Sequence, residues 1–216
     1  MKILSLIVGL LALPSTVMAS ERAPSGVKMI SVRALGAGCL PDRTATTFSP
    51  DGEALTLSFD ELFAEAAFDG VSAYDRKFCR VNVRVRVPAG WSFGIFSWDA
   101  RGYVDLYGSA VATYSAGFAF SRGRYEFSEQ NFSGPTSDFI FARDELLAED
   151  VVYSPCSTGR DLSMRFHTAL SVRAERPGDE GFLVLDSVDG ASLEQNFGIV
   201  WRRCTPRSRS PWRSLR

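Results

Sequence analysis

The sequence predicts an all-β fold, an antiparallel β-sandwich stapled by disulfides, on three observations. Two stretches alternate with period two: Val81, Val83, Val85 and Val87 against Arg80, Asn82, Arg84 and Arg86, and Leu162, Met164, Phe166, Thr168, Leu170 and Val172 against Ser163, Arg165, His167, Ser171 and Arg173. That is the pattern of half-buried antiparallel strands, whose successive side chains point to opposite faces. Short segments are closed off by Gly, Pro and Asp, and no alternation of strand with helix calls for a parallel sheet. Finally, Cys39, Cys79, Cys156 and Cys204 follow an N-terminus that reads as an export signal, so they are expected as disulfides.

Taken in order, 27–33 is expected as a first strand, and Gly36-Ala37-Gly38-Cys39-Leu40-Pro41 as a turn. No strand-to-helix switch or Lys follows those glycines, so they do not make a phosphate loop. Thr44 to Phe48, Ser49-Pro50-Asp51-Gly52 and Ala54 to Phe59 read as strand, turn, strand, because Pro presets φ and Gly takes the position other residues resist. Asp60 to Phe68 holds helix-friendly residues but alternates around Phe63, and stands open between helix and strand with strand favoured. After the valine strand, Pro88-Ala89-Gly90 turns the chain into Trp91 to Trp98, which is apolar on both parities and therefore expected centrally, with protein on both faces. Tyr103 to Thr113 and Phe118 to Phe127 are further strands; Gly134-Pro135 turns; Phe139 to Ala142 is a short strand and Asp144 to Glu149 a helical turn. The long alternating run from Leu162 ends at the turn Arg176-Pro177-Gly178-Asp179 and is expected to form a hairpin with Phe182 to Leu185. Asp189-Gly190 is a turn, and Ser192 to Trp201 closes the fold.

Lys2, the apolar run Ile3 to Leu13, Pro14 and Val17-Met18-Ala19 fit a signal peptide over residues 1–19, cleaved before Ser20. The run is too short to span a bilayer, which needs about 20 apolar residues, and no later run is longer or free of charge. The expected location is secreted or periplasmic, with no transmembrane segment. Residues 20–204 are expected as one domain and 205–216, rich in Arg, Ser and Pro, as a disordered tail. The formal net charge is −1; losing Lys2 with the signal and setting aside Arg207, Arg209, Arg213 and Arg216 leaves the body at −6. An acidic body carries a basic tail, which could adhere to an anionic envelope polymer by charge alone. Of the three possible cysteine pairings, Cys39–Cys79 and Cys156–Cys204 are expected, since two local loops need the least topology.

Gly36 to Pro41, the SPDG turn, Arg76-Lys77-Phe78-Cys79, Pro88-Ala89-Gly90, Arg101-Gly102-Tyr103, Ser154-Pro155-Cys156 and Trp201-Arg202-Arg203-Cys204 occur in that order. As a set they resemble the small secreted proteins of fungi and bacteria catalogued as domain of unknown function 4360, over roughly 35–204. The resemblance implies an exported, cysteine-bridged domain and brings no activity, cofactor or catalytic residue. Leu40 stands before Pro41 where that family often has Pro directly after the cysteine.

The chemistry-bearing residues are few. The single histidine, His167, lies on the polar parity of its strand, so a two-histidine metal site is not possible, and no metal or cofactor is expected. Neither G-x-S-x-G nor H-E-x-x-H is present. A secreted hydrolase acting on glycans through two carboxylates is the alternative, with Asp99, Asp105, Asp138 or Asp186 as candidates, none favoured by spacing. Asp186 to Gly190 lacks the spacing and closing Glu of a calcium loop and reads as a turn. Asn131-Phe132-Ser133 matches an N-glycosylation acceptor. The leading expectation is a non-catalytic binding or structural module with no nucleic-acid partner, contacting a glycan or envelope polymer. Its candidate surface is Tyr103, Asp105 and Tyr107: Val104, Leu106 and Ala110 claim the core on one parity, sending the tyrosines outward as adjacent platforms for an extended ligand.

Overall fold

The computed structural model of the chain describes residues 21–204, except 41, 43, 60, 61, 72, 122 and 186–192. The expected signal peptide, the Asp186–Gly190 turn and the Arg-rich tail lie outside the described residues. Thirteen antiparallel strands are described: β1 (Lys28–Leu35), β2 (Thr44–Phe48), β3 (Ala54–Phe59), β4 (Phe63–Ala67), β5 (Ala73–Arg86), β6 (Trp91–Tyr107), β7 (Val111–Phe120), β8 (Glu126–Ser133), β9 (Thr136–Glu145), β10 (Val152–Tyr153), β11 (Asp161–Ala174), β12 (Glu180–Leu185) and β13 (Leu193–Arg203). They form two sheets, as the sequence predicts. One has the order β1-β5-β11-β7-β8; the other runs β2-β3-β13-β6-β12-β4, with β9 and β10 along the other edge of β6.

The core between the sheets is where the alternation placed it. Val81, Val83, Val85 and Val87 are buried, as are Met164, Phe166, Leu170 and Val172, and they meet Phe93, Ile95, Phe197 and Trp201 of the larger sheet. Within this apolar layer one polar chain is enclosed. Thr168 Oγ1 donates to Gln195 Oε1 at 2.6 Å and Gln195 Nε2 donates to Tyr114 Oη at 3.0 Å, joining β11, β13 and β7. The two expected disulfides are present: Cys39–Cys79 ties the turn after β1 to β5, and Cys156–Cys204 ties the segment after β10 to the end of β13.

β6 departs from expectation in an informative way. Residues 91–98 and 103–107 form one strand of 17 residues, and the alternation read through Thr113 is interrupted by a turn at Gly108, whose φ is +65°. The apolar residues on both parities near Trp91 have two causes. A bulge at Phe96 switches the inward parity from Phe93 and Ile95 to Trp98 and Ala100. The segment 151–157 also covers the outer side of the strand start, where Ser92 Oγ donates to Ser154 O at 2.8 Å and a Cβ on Gly94 would come within 2.7 Å of Val151.

Three further expectations are corrected. Phe118 to Phe127 is not one strand: β7 stops at Phe120, Ser121 turns with φ +45°, and β8 starts at Glu126. Asp144 to Glu149 is not a helical turn: β9 runs through Glu145, and Asp150 N donates to Leu147 O in a turn beyond it. Phe182 to Leu185 does not pair with the long β11; β12 crosses to the larger sheet between β6 and β4. The crossing is held by Asp179, whose carboxylate accepts from Ser109 N at 2.6 Å, Arg176 N at 2.9 Å and Glu175 N at 3.2 Å.

Candidate functional site

Tyr103, Asp105 and Tyr107 share the outer face of the larger sheet, because the intervening Val104 and Leu106 are buried at 1 % exposure each. The register of the neighbouring strands supplies what surrounds them. Phe139 of β9 and Val184 of β12 stand opposite Tyr103, and Phe63 of β4 lies beyond Val184; Ser137 and Phe182 stand opposite Asp105, with Glu65 beyond. Tyr103 is therefore the centre of an aromatic platform. Its ring lies 5.2 Å from Phe139, edge to face, and 5.9 Å from Phe182. Its hydroxyl makes a 2.7 Å hydrogen bond with the Ser137 hydroxyl, which fixes the ring in its plane. Phe139 is 80 % exposed and Phe141 53 %, with the Arg101 guanidinium 5.8 Å from the Phe141 centroid.

Tyr103 and Tyr107 are not adjacent platforms, however. Four residues of strand rise put them about 13 Å apart, with Asp105 between them. The rings that flank Tyr103 come from β9 and β12. Reading along the chain missed Phe139, Phe141 and Phe182, although Phe139 and Phe141 bracketing the inward Ile140 already carried an outward-aromatic signal.

Asp105 and Tyr107 also line a cavity of about 660 Å³ beside the platform, together with Glu65, Glu180, Phe182 and Tyr74. Its carboxylates make this face acidic. Asp75 at its margin is held by Lys77 Nζ at 2.9 Å. Among the hydrolase candidates, Asp99 and Asp105 are six residues apart on β6, about 20 Å by strand rise, well beyond the roughly 5–9.5 Å of a glycosidase pair. Asp99 accepts from Asn196 Nδ2 at 3.3 Å, Asp138 lies opposite Val104, and Asp186 lies outside the described residues. His167 is on the opposite side of the molecule, on the outer face of the smaller sheet; burial, then the Arg76 and Arg80 charges, push its pKa down. Among the described residues no group of three or more His, Cys, Asp or Glu side chains could hold a metal ion. No helix among them is long and apolar enough to cross a membrane.

Comparison with known proteins gives the family. The profile described as "Domain of unknown function (DUF4360)" matches residues 25–204, and the chain belongs to that family. A protein of Arthroderma benhamiae named "Uncharacterized secreted protein" is 30 % identical over 184 residues, covering 84 % of this chain and 74 % of the relative. Among solved structures, TmCBM61 in complex with β-1,4-galactotriose covers 80 % of this chain and 88 % of its own, at 14 % identity and a TM-score of 0.24. A family 11 carbohydrate-binding module from Clostridium thermocellum covers 79 % of this chain and 91 % of its own, at 12 % identity and a TM-score of 0.15. Likenesses at those scores say nothing about this chain's ligand.

Proposed function

We propose that this member of the family is an exported, non-catalytic binding module that takes a neutral glycan on the aromatic platform around Tyr103. Export is supported by the signal-like N-terminus, the two disulfides, which belong to an oxidising compartment, and the description of the relative as secreted. The observation that carries the ligand class is the trio of a half-buried Tyr103, held by its hydrogen bond to Ser137, with the exposed rings of Phe139 and Phe182 beside it on the sheet and Asp105 at its border. Flat aromatic faces take the apolar face of a sugar ring, while hydroxyl and carboxylate neighbours accept or donate to its edge. Asp105, Glu65 and Glu180 near the platform favour an uncharged chain over an anionic one.

Affinity electrophoresis of the mature protein in gels containing cellulose derivatives, xylan, β-1,3-glucan or soluble chitin tests the reading. Retardation by at least one of these, lost in Tyr103→Ala/Phe139→Ala with unchanged thermal unfolding, is the expected result. Release of reducing ends by the purified protein would instead support the carboxylate-dependent hydrolase and overturn the non-catalytic reading.

A further inference from the structure

The smaller sheet carries a second surface, built differently from the aromatic platform. Its outer face forms a trough, seen as two cavities of about 620 and 470 Å³ that share Phe127 and His167. The floor is made of small residues from the adjacent strands β11 and β7: Ala169 and Ser171 of β11, and Ser115 and Gly117 of β7. Gly117 has a reason to be glycine, since a Cβ there would come within 2.4 Å of Glu126 O on β8. One wall is Phe127 and Glu129 of β8; the other is Arg76, Phe78 and Arg80 of β5.

The trough is cationic, and among the described residues three of its four arginines have no carboxylate partner. The Arg76 and Arg80 guanidinium carbons lie 5.7 and 5.4 Å from the Phe78 ring centroid, and that of Arg165 lies 5.1 Å from the Tyr125 centroid. Among the described residues none of these three arginines has an acidic group within ion-pair distance, whereas Arg173, at the end of the trough, is paired with Glu175 at 3.2 Å. The Nε of Arg165 is buried and has no hydrogen-bond partner among the described residues. Glu129, the acid on the far wall, accepts from Asn131 Nδ2 at 3.2 Å.

We infer that this trough is a second binding site, for an extended polysaccharide bearing carboxylates, with Arg76, Arg80 and Arg165 as the groups that read its charge. Arg76 and Arg80, four residues apart on β5, both hold their guanidinium groups against the Phe78 ring, so their charges form one patch no more than roughly 11 Å across, which a chain bearing a carboxylate on successive units can span. Ser115 and Ser171 on the floor offer hydroxyls to sugar edges. An added peptide strand is disfavoured, because β11 and β7 are already hydrogen-bonded along both edges.

The single histidine makes the site observable, since its imidazole resonances are unique in the spectrum. Titrating the mature protein with a hexamer of galacturonate should shift the His167 signals, because the imidazole lies on the trough between the Arg80 and Arg76 walls and the Phe127 wall. The fully methyl-esterified hexamer should bind at least tenfold more weakly. Arg76→Gln/Arg80→Gln should lose binding tenfold or more, while Arg76→Lys/Arg80→Lys retains it and shows that the fold tolerates change there. Tyr103→Ala/Phe139→Ala should bind the uronate as wild type does, which separates this site from the platform. Equal binding of the ester, normal binding by the glutamine variant, an unmoved His167 signal, or tighter binding of oligo-dT than of the uronate would each overturn the assignment.

Discussion

At the scale of single residues, the decisive groups are polar atoms placed where water cannot reach them. Gln195 is fully buried and is the only bridge between Thr168 and Tyr114 in the hydrogen bonds described, and burial chiefly pushes the Tyr114 phenol pKa well up. Gln195→Ala leaves both hydroxyls unsatisfied and opens a void, so it should lower unfolding stability by about 2–4 kcal/mol in urea titrations. Replacing all three by apolar residues of similar shape, Gln195→Leu with Tyr114→Phe and Thr168→Val, should recover much of the loss. Asp179 acts at the surface end of the core. The Ser109 N–H, followed by those of Glu175 and Arg176, holds its carboxyl below the ordinary value, with burial opposing. An unfolded aspartate titrates at about 3.9, so the stabilisation is complete above that pH and is lost as pH falls through the lower folded value. Asp179→Asn should therefore be less stable at neutral pH and show a shallower loss of stability between about pH 4 and the acid limit.

At the scale of elements, β6 is the strand on which the larger sheet depends. It has β13 and then β12 on one edge, and β10 and then β9 on the other. Gly102 lets β12 approach: a Cβ there would lie 2.3 Å from Val184 O and 3.1 Å from Ile140. Gly102→Ala should destabilise the protein by about 2 kcal/mol or more, raise hydrogen exchange at 180–185 first, and weaken glycan retention, because Phe182 rides on β12. The hairpin β2–β3 was legible to the residue because Ser49-Pro50-Asp51-Gly52 fixes both of its ends. The end of β6 was not, since Tyr103 to Thr113 keeps its parity through the turn at Gly108, and alternation alone carries no sign of the reversal. The destination of β12 was hidden for a different reason. Whether a strand folds back on its neighbour or crosses to the other sheet is decided here by Asp179 and Ser109, 70 residues apart in sequence. The same limit applied to the candidate site. The outward face of Tyr103 follows from local parity, but its ring partners follow from the registers of β9 and β12.

At the scale of the whole molecule, each sheet carries one disulfide of its own, Cys39–Cys79 on the smaller and Cys156–Cys204 on the larger, joining cysteines 40 and 48 residues apart. Each bridge is worth about 4 kcal/mol in the chain-entropy model, an upper figure, so reduction should lower the unfolding midpoint markedly. Peptide mapping without reduction should yield only Cys39–Cys79 and Cys156–Cys204 pairs. The sandwich then presents two unlike outer faces: an aromatic, acid-bordered platform on the larger sheet and a cationic trough on the smaller one. The measurement that bears most directly on the platform as a glycan site is calorimetric titration of the mature protein and of Tyr103→Ala/Phe139→Ala with the neutral polysaccharide that retards it best in gels. Stacking residues at a working site cost upward of 1 kcal/mol each when truncated. Binding weakened tenfold or more with an intact fold is the predicted result; unchanged affinity in the double variant would contradict it.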